Sequence, residues 1–487
     1  MTMNRRRFLL STVATRALWP ALPLGGLLQA CSASTDSAGP DGTGTSPPLR
    51  IPPDFAGSTL AASIGTSSDA SVNRAAAWTF GGSVPSPTIR FRPGDAFGIQ
   101  FDNRLPVATN VHWHGLAVPP DMDGHPMDLV SASAGREYRY TAQPRPGTYW
   151  YHPHPDRDTG RQVYQGMAGF LIVDDGTAAR FGLPPAPFEI PLLLQDKMRS
   201  APLAYPAGMM NVPSGLLGDT GFVNGSPSPT LSVEAGVYRF RLLNGANARV
   251  MDVGLGDRSP FWLIGTDGGL LDRPYEVTTV RLGPGERVEV LIDFGRHAVG
   301  QTPVLMSHPF AAPGGMMGSG LPQGAQLQLM RFAVDRLTTR SRAIPSAFEP
   351  IERYLPANAQ GTQTFVLAMG GTGMGMGMTP TINGRSFDGA RIDTQIALGD
   401  LQVWDFVNTS GEFHPMHVHG AQFQVVSRSS ASLSSPTDLG WKDTVLVHPQ
   451  ETVRIAIRFD GYRGRYLMHC HNLEHEDAGM MANVEVT

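Results

Sequence analysis

The stretch PSPTIRFRPGDAFGIQFDN (Pro85–Asn103) returns as PSPTLSVEAGVYRFRLLN (Pro227–Asn244), an offset of 142 residues from Pro85 to Pro227. A repeat this long exceeds any solenoid unit and implies copies of one whole domain. A weaker echo links FVNGSPSPT, from Phe222, to TINGRSFDG, from Thr381, with GDLQVWDFVN following. Spacings of about 150 residues fit three copies in 487 residues. Within the repeats apolar residues alternate, as in Val288, Val290, Ile292 and Phe294, or Val453, Ile455, Ile457 and Phe459. That period of two marks strands, and no long helical period competes with it. The 56 glycines and 41 prolines suit short strands joined by many turns. The expected fold is mainly β, with three β-sandwich domains at 53–178, 186–340 and 350–487 and Pro-rich joints such as LPPAP (Leu183–Pro187).

The repeat extends to the chemistry. HWHG (His112–Gly115) precedes GTYWYHPH (Gly147–His154), and HVHG (His417–Gly420) precedes GRYLMHCH (Gly464–His471). Both outer domains carry two His-x-His motifs in the same order, and the middle one carries neither. Of the chain's 14 histidines, a single one is most simply a hydrogen-bonded surface or core residue. Four matched pairs are different, because residues i and i+2 of a strand point the same way. Eight imidazoles without a bridging carboxylate suit a late transition metal, copper above all, whereas calcium or magnesium would demand oxygen ligands. A zinc hydrolase built on HCHNLEHED alone is disfavoured by the matching motifs of the other domain. If HCH is extended, Cys470 faces away from His469 and His471 and needs its own metal. His414, His475 and Met480 supply the remaining ligands of a blue-copper electron-transfer site, with Met480 favoured over Met481 on spacing.

HWHG, HPH, HPMHVHG and HCHNLEHEDAGM together resemble the four copper-binding motifs of the multicopper oxidases, the laccase-like family of three cupredoxin domains. The resemblance covers nearly the whole chain after its first 52 residues. It implies four coppers: a type 1 ion on His414, Cys470, His475 and, axially, Met480, and a type 2 ion on His112 and His417. A type 3 pair would take His114, His152 and His471 on one ion and His154, His419 and His469 on the other. It further implies one-electron oxidation of a donor at the type 1 site and transfer through Cys470 to His469 and His471. Dioxygen would be reduced to water between the first and third domains, the middle domain serving as a spacer. Glu476 and Asp123 stand where relatives place carboxylates of a proton path. His125, His297, His308 and His448 match no ligand motif.

The donor is less legible. AMGGTGMGMGM supplies Met369, Met374, Met376 and Met378, and GGMMG adds Met316 and Met317. Thioethers bind cuprous ion, and bacterial copper-efflux oxidases resembling this chain carry a longer Met-rich insertion nearby, which favours Cu(I) as donor. Upstream of His414, however, NTSGEF offers only Glu412 as a further ligand. Phenols or aromatic amines, the donors of a broad laccase, are the alternative. A non-enzymatic periplasmic copper store or cell-division scaffold is a further alternative; such a scaffold would be expected to lack ligands, and none is missing. A net charge of −4 gives no sign of a nucleic-acid partner. At the N-terminus, NRRRFLL carries twin arginines before an apolar stretch, resembling a twin-arginine export signal over 1–31. Cys31 in LLQAC sits where a lipobox cysteine would, and a polar tether follows over 32–52. Gln29 is not the small residue usual before a lipobox cysteine, so the expected location is the periplasm or cell envelope, with either a lipid anchor at Cys31 or ordinary cleavage nearby.

Overall fold

The computed structural model describes residues 46–66, 76–312, 320–339, 342–370 and 379–487. The twin-arginine segment, Cys31, Met316, Met317, Met374, Met376 and Met378 lie outside the described residues. The chain is mainly β, its strands forming six sheets around three principal hydrophobic cores. Thr59–Thr66, Ala76–Phe80, Ala96–Asn103 and Gly135–Thr141 make one four-stranded sheet, and Ser86–Phe91, Gly147–Tyr151 and Gly169–Val173 a three-stranded one. Phe80, Phe101, Trp113, Tyr151 and Leu171 pack together in the core these two sheets share. A seven-stranded and a five-stranded sheet enclose the second core, around Phe240, Val288, Val290 and Phe332. Two five-stranded sheets enclose the third, around Trp404, Ile455, Met468 and Cys470.

The repeat is visible as repeated turn chemistry. Gly81-Gly82, Asn224-Gly225 and Asn383-Gly384 all have positive φ at both residues, the two-residue hairpin turn that Asn-Gly and Gly-Gly favour. Each copy later ends a strand on a buried asparagine: Asn103, Asn244 and Asn408. Their carboxamides accept from the backbone N–H two residues on and donate to one carbonyl of the following loop (Val107, Arg249 or Glu412) and to one remote in sequence (Val130, Leu282 or His448). In the outer domains those loops lead directly into the histidine motifs, so a fully hydrogen-bonded side chain sets where each motif begins.

One alternating strand is buried on both faces. Val288, Val290 and Ile292 of strand Arg287–Asp293 do enter the middle core. The intervening Arg287, Glu289 and Leu291 are buried as well. Glu289 accepts from Thr148 Oγ1 of the first domain at 2.8 Å and from Arg239 Nε at 2.9 Å. The second face of this strand meets a neighbouring domain instead of water, which is why polar residues at alternate positions did not mean exposure.

Candidate metal centre

Eight histidines converge between the first and third sandwiches, all at most 1% exposed: His112, His114, His152, His154, His417, His419, His469 and His471. Their arrangement follows from backbone pairing. His112 and His152 exchange backbone hydrogen bonds at 2.8 and 3.2 Å. In the third domain His417 stands opposite His469, where strand His414–Val418 pairs with Gly464–Cys470. The two halves thus present the same register. The expected strand geometry holds only in part. HWHG makes a single bridge and then turns, and His419 and His471 lie just beyond their strands. The pairs still share one cavity, with ring centroids 5.6 Å apart for His112–His114, 6.0 for His152–His154, 5.0 for His417–His419 and 5.5 for His469–His471.

What orients the rings is the partner of each outward nitrogen. His112 Nδ1 donates to the carbonyl of Asp123 at 2.7 Å, His417 Nδ1 to that of Asp443 at 2.8 Å, and His152 Nδ1 to that of Pro153 at 2.9 Å. His419 Nδ1 donates to Asp123 Oδ2 at 2.7 Å, and His114 Nε2 to Asp443 Oδ1 at 3.0 Å. Glu476 sits between His154 Nδ1 and His469 Nδ1, 3.3 and 3.2 Å away. A neutral imidazole with one nitrogen donating outward keeps the lone pair of the other for the inside. Burial holds His114, His152, His154, His417, His419 and His471 neutral, with neighbouring imidazoles adding to the effect; His112 is lowered to about 3. Burial also pushes the Asp123 carboxyl well above the usual range, with Asp128 adding to it. The turn behind Asp123 requires glycine: Gly124 has φ +82°, and a Cβ there would lie 2.2 Å from the carbonyl oxygen of Val111.

The inward nitrogens face one another with nothing between them to donate. His154 Nε2 and His419 Nε2 lie 3.2 and 3.1 Å from His469 Nε2, His112 Nε2 lies 3.4 Å from His417 Nε2, and His114 Nδ1 lies 3.4 Å from His152 Nε2. His471 has neither ring nitrogen hydrogen-bonded, although it is buried with its centroid 5.1 Å from that of His114. Opposed buried lone pairs and an orphaned imidazole are costly unless a cation occupies the space. Nitrogens at metal-bond length from one ion at tetrahedral angles stand about 3.3 Å apart, so the spacing fits. An all-imidazole donor set is one that copper accepts.

On the other face of the same strand is a second cluster. Cys470 is fully buried in the third core, and its Sγ lies 3.5 Å from His414 Nδ1 and 3.6 Å from His475 Nδ1. His414 reaches it from the start of strand His414–Val418, and His475 from the short helix Leu473–Asp477. Asn472 caps that helix by accepting from the N–H groups of Glu474 and His475. The helix turn sends His475 to Cys470 and Glu476 to the eight-histidine cavity. Met480 shares the core cluster of Cys470, whereas Met481 does not. Burial pushes the bare Cys470 thiol far up, so a thiolate here needs a cation beside it. His414 Nε2 meets Ser410 Oγ at 2.9 Å, and His475 Nε2 donates to the carbonyl of Pro213 at 2.6 Å.

Glu412 occurs in none of the metal-capable groups among the described residues and accepts from Ser214 Oγ at 3.3 Å, and Met369 is partly buried on strand Gly361–Gly370. His125, His308 and His448 occur in none of the metal-capable groups among the described residues. Sequence reasoning missed Asp443 and Arg287 behind His114, and Pro213 over His475. Their positions have no ligand spacing, and only long-range packing brings them to the histidines.

Residues 63–178, 193–307 and 358–487 each match a family model described as multicopper oxidase. The chain is 30% identical over 469 residues to a laccase of Bacillus stratosphericus, the match covering 84% of this chain and 90% of that one. The McoA multicopper oxidase of the hyperthermophile Aquifex aeolicus is similar in structure, with a TM-score of 0.81 and 34% identity over 91% of this chain and 100% of that one. A Campylobacter jejuni multicopper oxidase described as a metallo-oxidase has a TM-score of 0.78 and 26% identity, covering 91% and 96%.

Proposed function

The chain belongs to the multicopper oxidase family, a copper-dependent oxidoreductase that uses dioxygen, and on that premise we propose its ligand assignment and its donor. The type 1 copper would be held by His414, Cys470, His475 and Met480, and the type 2 copper by His112 and His417. His114, His152 and His471 would hold one type 3 ion, and His154, His419 and His469 the other. The bound coppers supply the one-electron steps that couple donor oxidation to the four-electron reduction of dioxygen to water.

The chain's own residues do the rest. His469, Cys470 and His471 are consecutive, so two peptide bonds join the sulfur of one cluster to two imidazoles of the other. Asp123 accepts from the outward nitrogen of His419, and the Glu476 carboxylate lies 3.3 and 3.2 Å from those of His154 and His469 with neither of its oxygens hydrogen-bonded. Asp123 keeps a second oxygen, Oδ1, with no hydrogen-bond partner. A buried carboxyl whose pKa burial raises, with an oxygen left free of hydrogen bonds, is suited to taking up and releasing a proton.

We favour Cu(I) as the donor. The observation that carries this reading is the closed edge of His475, which is 2% exposed and capped by the Pro213 carbonyl. A phenol has no imidazole edge to contact there, whereas a small soft cation needs only ligands nearby. Glu412, hydrogen-bonded into the same segment at Ser214, and Met369 are candidate ligands, with Met374, Met376 and Met378 following in sequence. The metallo-oxidase description of the Campylobacter jejuni neighbour is in keeping with it. The test is kcat/KM for Cu(I) and for a phenol on copper-loaded protein, with and without residues 370–378. Cu(I) turnover that survives the deletion unchanged removes those methionines from the donor site. A higher value for the phenol in the intact protein supports the second reading, a broad laccase, which the Bacillus stratosphericus relative favours. Fewer than two firmly bound coppers per chain would point to a scaffold. We further propose export by the twin-arginine route and lipid anchoring at Cys31. A soluble, unlipidated mature protein would refute the anchor.

A further inference from the structure

The middle domain supplies none of the proposed ligands, yet it places one side chain directly behind them. Arg287 is fully buried, and every one of its five N–H donors has an acceptor. Nε donates to the carbonyl of Thr148 at 2.9 Å. Nη1 donates to the carbonyl of Gly285 at 3.0 Å and to Asp443 Oδ1 at 2.6 Å. Nη2 donates to the carbonyl of Asp267 at 3.3 Å and to Asp443 Oδ2 at 2.5 Å. The acceptors come from all three domains, and the fork on Asp443 is bidentate. Only a guanidinium offers five donors in one rigid plane.

Asp443 passes that order on to two histidines. Its Oδ1 accepts from His114 Nε2 at 3.0 Å, and its backbone carbonyl accepts from His417 Nδ1 at 2.8 Å. Those two rings are stacked, with centroids 3.6 Å apart and an interplanar angle of 10°. His114 is the exception among the inward-facing rings of known orientation: it turns Nδ1 inward, toward His152, because Asp443 holds its Nε2. The neighbourhood is equally closed. Asp267 accepts from the backbone N–H groups of Asp443 and Thr444, and a Cβ at Gly285 would lie 2.9 Å from the ring of His471.

We propose that Arg287 is a positioning residue for the trinuclear copper site: by gripping both oxygens of Asp443 it fixes the inward nitrogen of His114 and the stacking of His114 on His417. The inference rests on the ligand assignment proposed above. The middle domain is therefore part of the oxygen-reducing site, and the site is complete only when all three domains have docked. Arg287 acts through Asp443 and touches no ligand nitrogen itself.

Arg287→Gln and Arg287→Lys, loaded with copper in the full chain, test this. Three readouts are taken together: copper per chain, the visible band of the Cys470 site, and the electron paramagnetic resonance of the type 2 ion. The expected result is an unchanged Cys470 band, reporting an intact third domain, with an altered or depleted type 2 signal. The kcat would fall about 10–100-fold, the range for lost ligand support, with KM for the donor nearly constant. Arg287→Lys keeps the charge without the fork and should fall short of wild type in the same readouts. Four coppers and a wild-type type 2 signal in both variants would overturn the proposal. Should neither variant fold, Asp443→Asn is read in the same way, and a wild-type type 2 signal there is equally fatal. A wild-type protein with neither a Cys470 band nor a type 2 signal would overturn the ligand assignment itself.

Discussion

The Nε2 of His475 and the backbone carbonyl of Pro213 are 2.6 Å apart, so a segment of the middle domain closes over the imidazole edge beside Cys470. The contact fixes Nδ1 toward the sulfur and keeps the edge from solvent. Replacing Met209–Ser214 with a shorter Gly-Ser turn should raise kcat/KM for phenols by about tenfold, a loss of roughly 1.4 kcal/mol in barrier. The Cu(I) value should not rise with it. Steady-state kinetics with both donors check this, and a fall for phenols would mean the segment helps aromatic donors bind.

Cys470→Ser removes the thiolate but leaves the eight-histidine cavity untouched, because the two clusters lie on opposite faces of strand Gly464–Cys470. The variant should lose the intense visible band and about one copper per chain, with the others retained. Metal analysis beside the absorption spectrum decides it. Loss of all copper would show that the two clusters assemble as one.

Asp123 accepts from the outward nitrogen of His419, and Glu476 lies within 3.3 Å of those of His154 and His469, so their substitutions should separate support from proton supply. Asp123→Asn retains an acceptor for His419 and should keep its copper while kcat falls about 10–100-fold. Asp123→Ala removes the acceptor and should lose copper as well. Glu476→Gln should show the same loss of oxygen turnover with copper kept. Oxygen consumption across pH, with copper counts on the same samples, provides the check. Unchanged turnover in both amide variants would remove these carboxylates from the proton path.

The metal-free protein should be acid-labile. His475 is lowered to about 4 and His112 to about 3 by burial, and His114, His152, His154, His414, His417, His419 and His471 shift the same way. Their unfolded value is about 6.5. Between the two values the unfolded chain binds protons that the folded chain does not, so stability falls as pH drops below about 6.5. Each group can contribute up to about 1.4 kcal/mol per pH unit in that window. Thermal unfolding of copper-free protein should therefore drop steeply from pH 7 to 5, and copper loading should raise Tm at each pH by mass action. A flat profile over that range would mean the cavity admits water.

Much of the site was legible because its signals are local. Two His-x-His motifs per outer domain, a cysteine inside the last of them, and His475 and Met480 at fixed distances beyond it lie within short stretches of chain. The repeat announced domain copies, and residue alternation announced strands. The geometry inferred from alternation was only partly right. HWHG turns after a single bridge, and the strand carrying Cys470 ends before His471. The first histidine pair of each outer domain is reached through a loop tied by Asn103 or Asn408, and the second pair at the end of a strand.

By itself the sequence determined the fold class, the copper chemistry and which residues are candidate ligands, since each depends on residue type and short spacing. Tertiary structure decided which nitrogen of each imidazole points inward, through the carbonyls and carboxylates of Asp123, Asp443 and Glu476. It also decided that the middle domain takes part, with Arg287 behind His114 and Pro213 over His475. Those contacts span 156 and 262 residues of chain. No local pattern encodes them, because an arginine or a carbonyl becomes part of a metal site only when packing removes water and leaves it one acceptor or donor to meet.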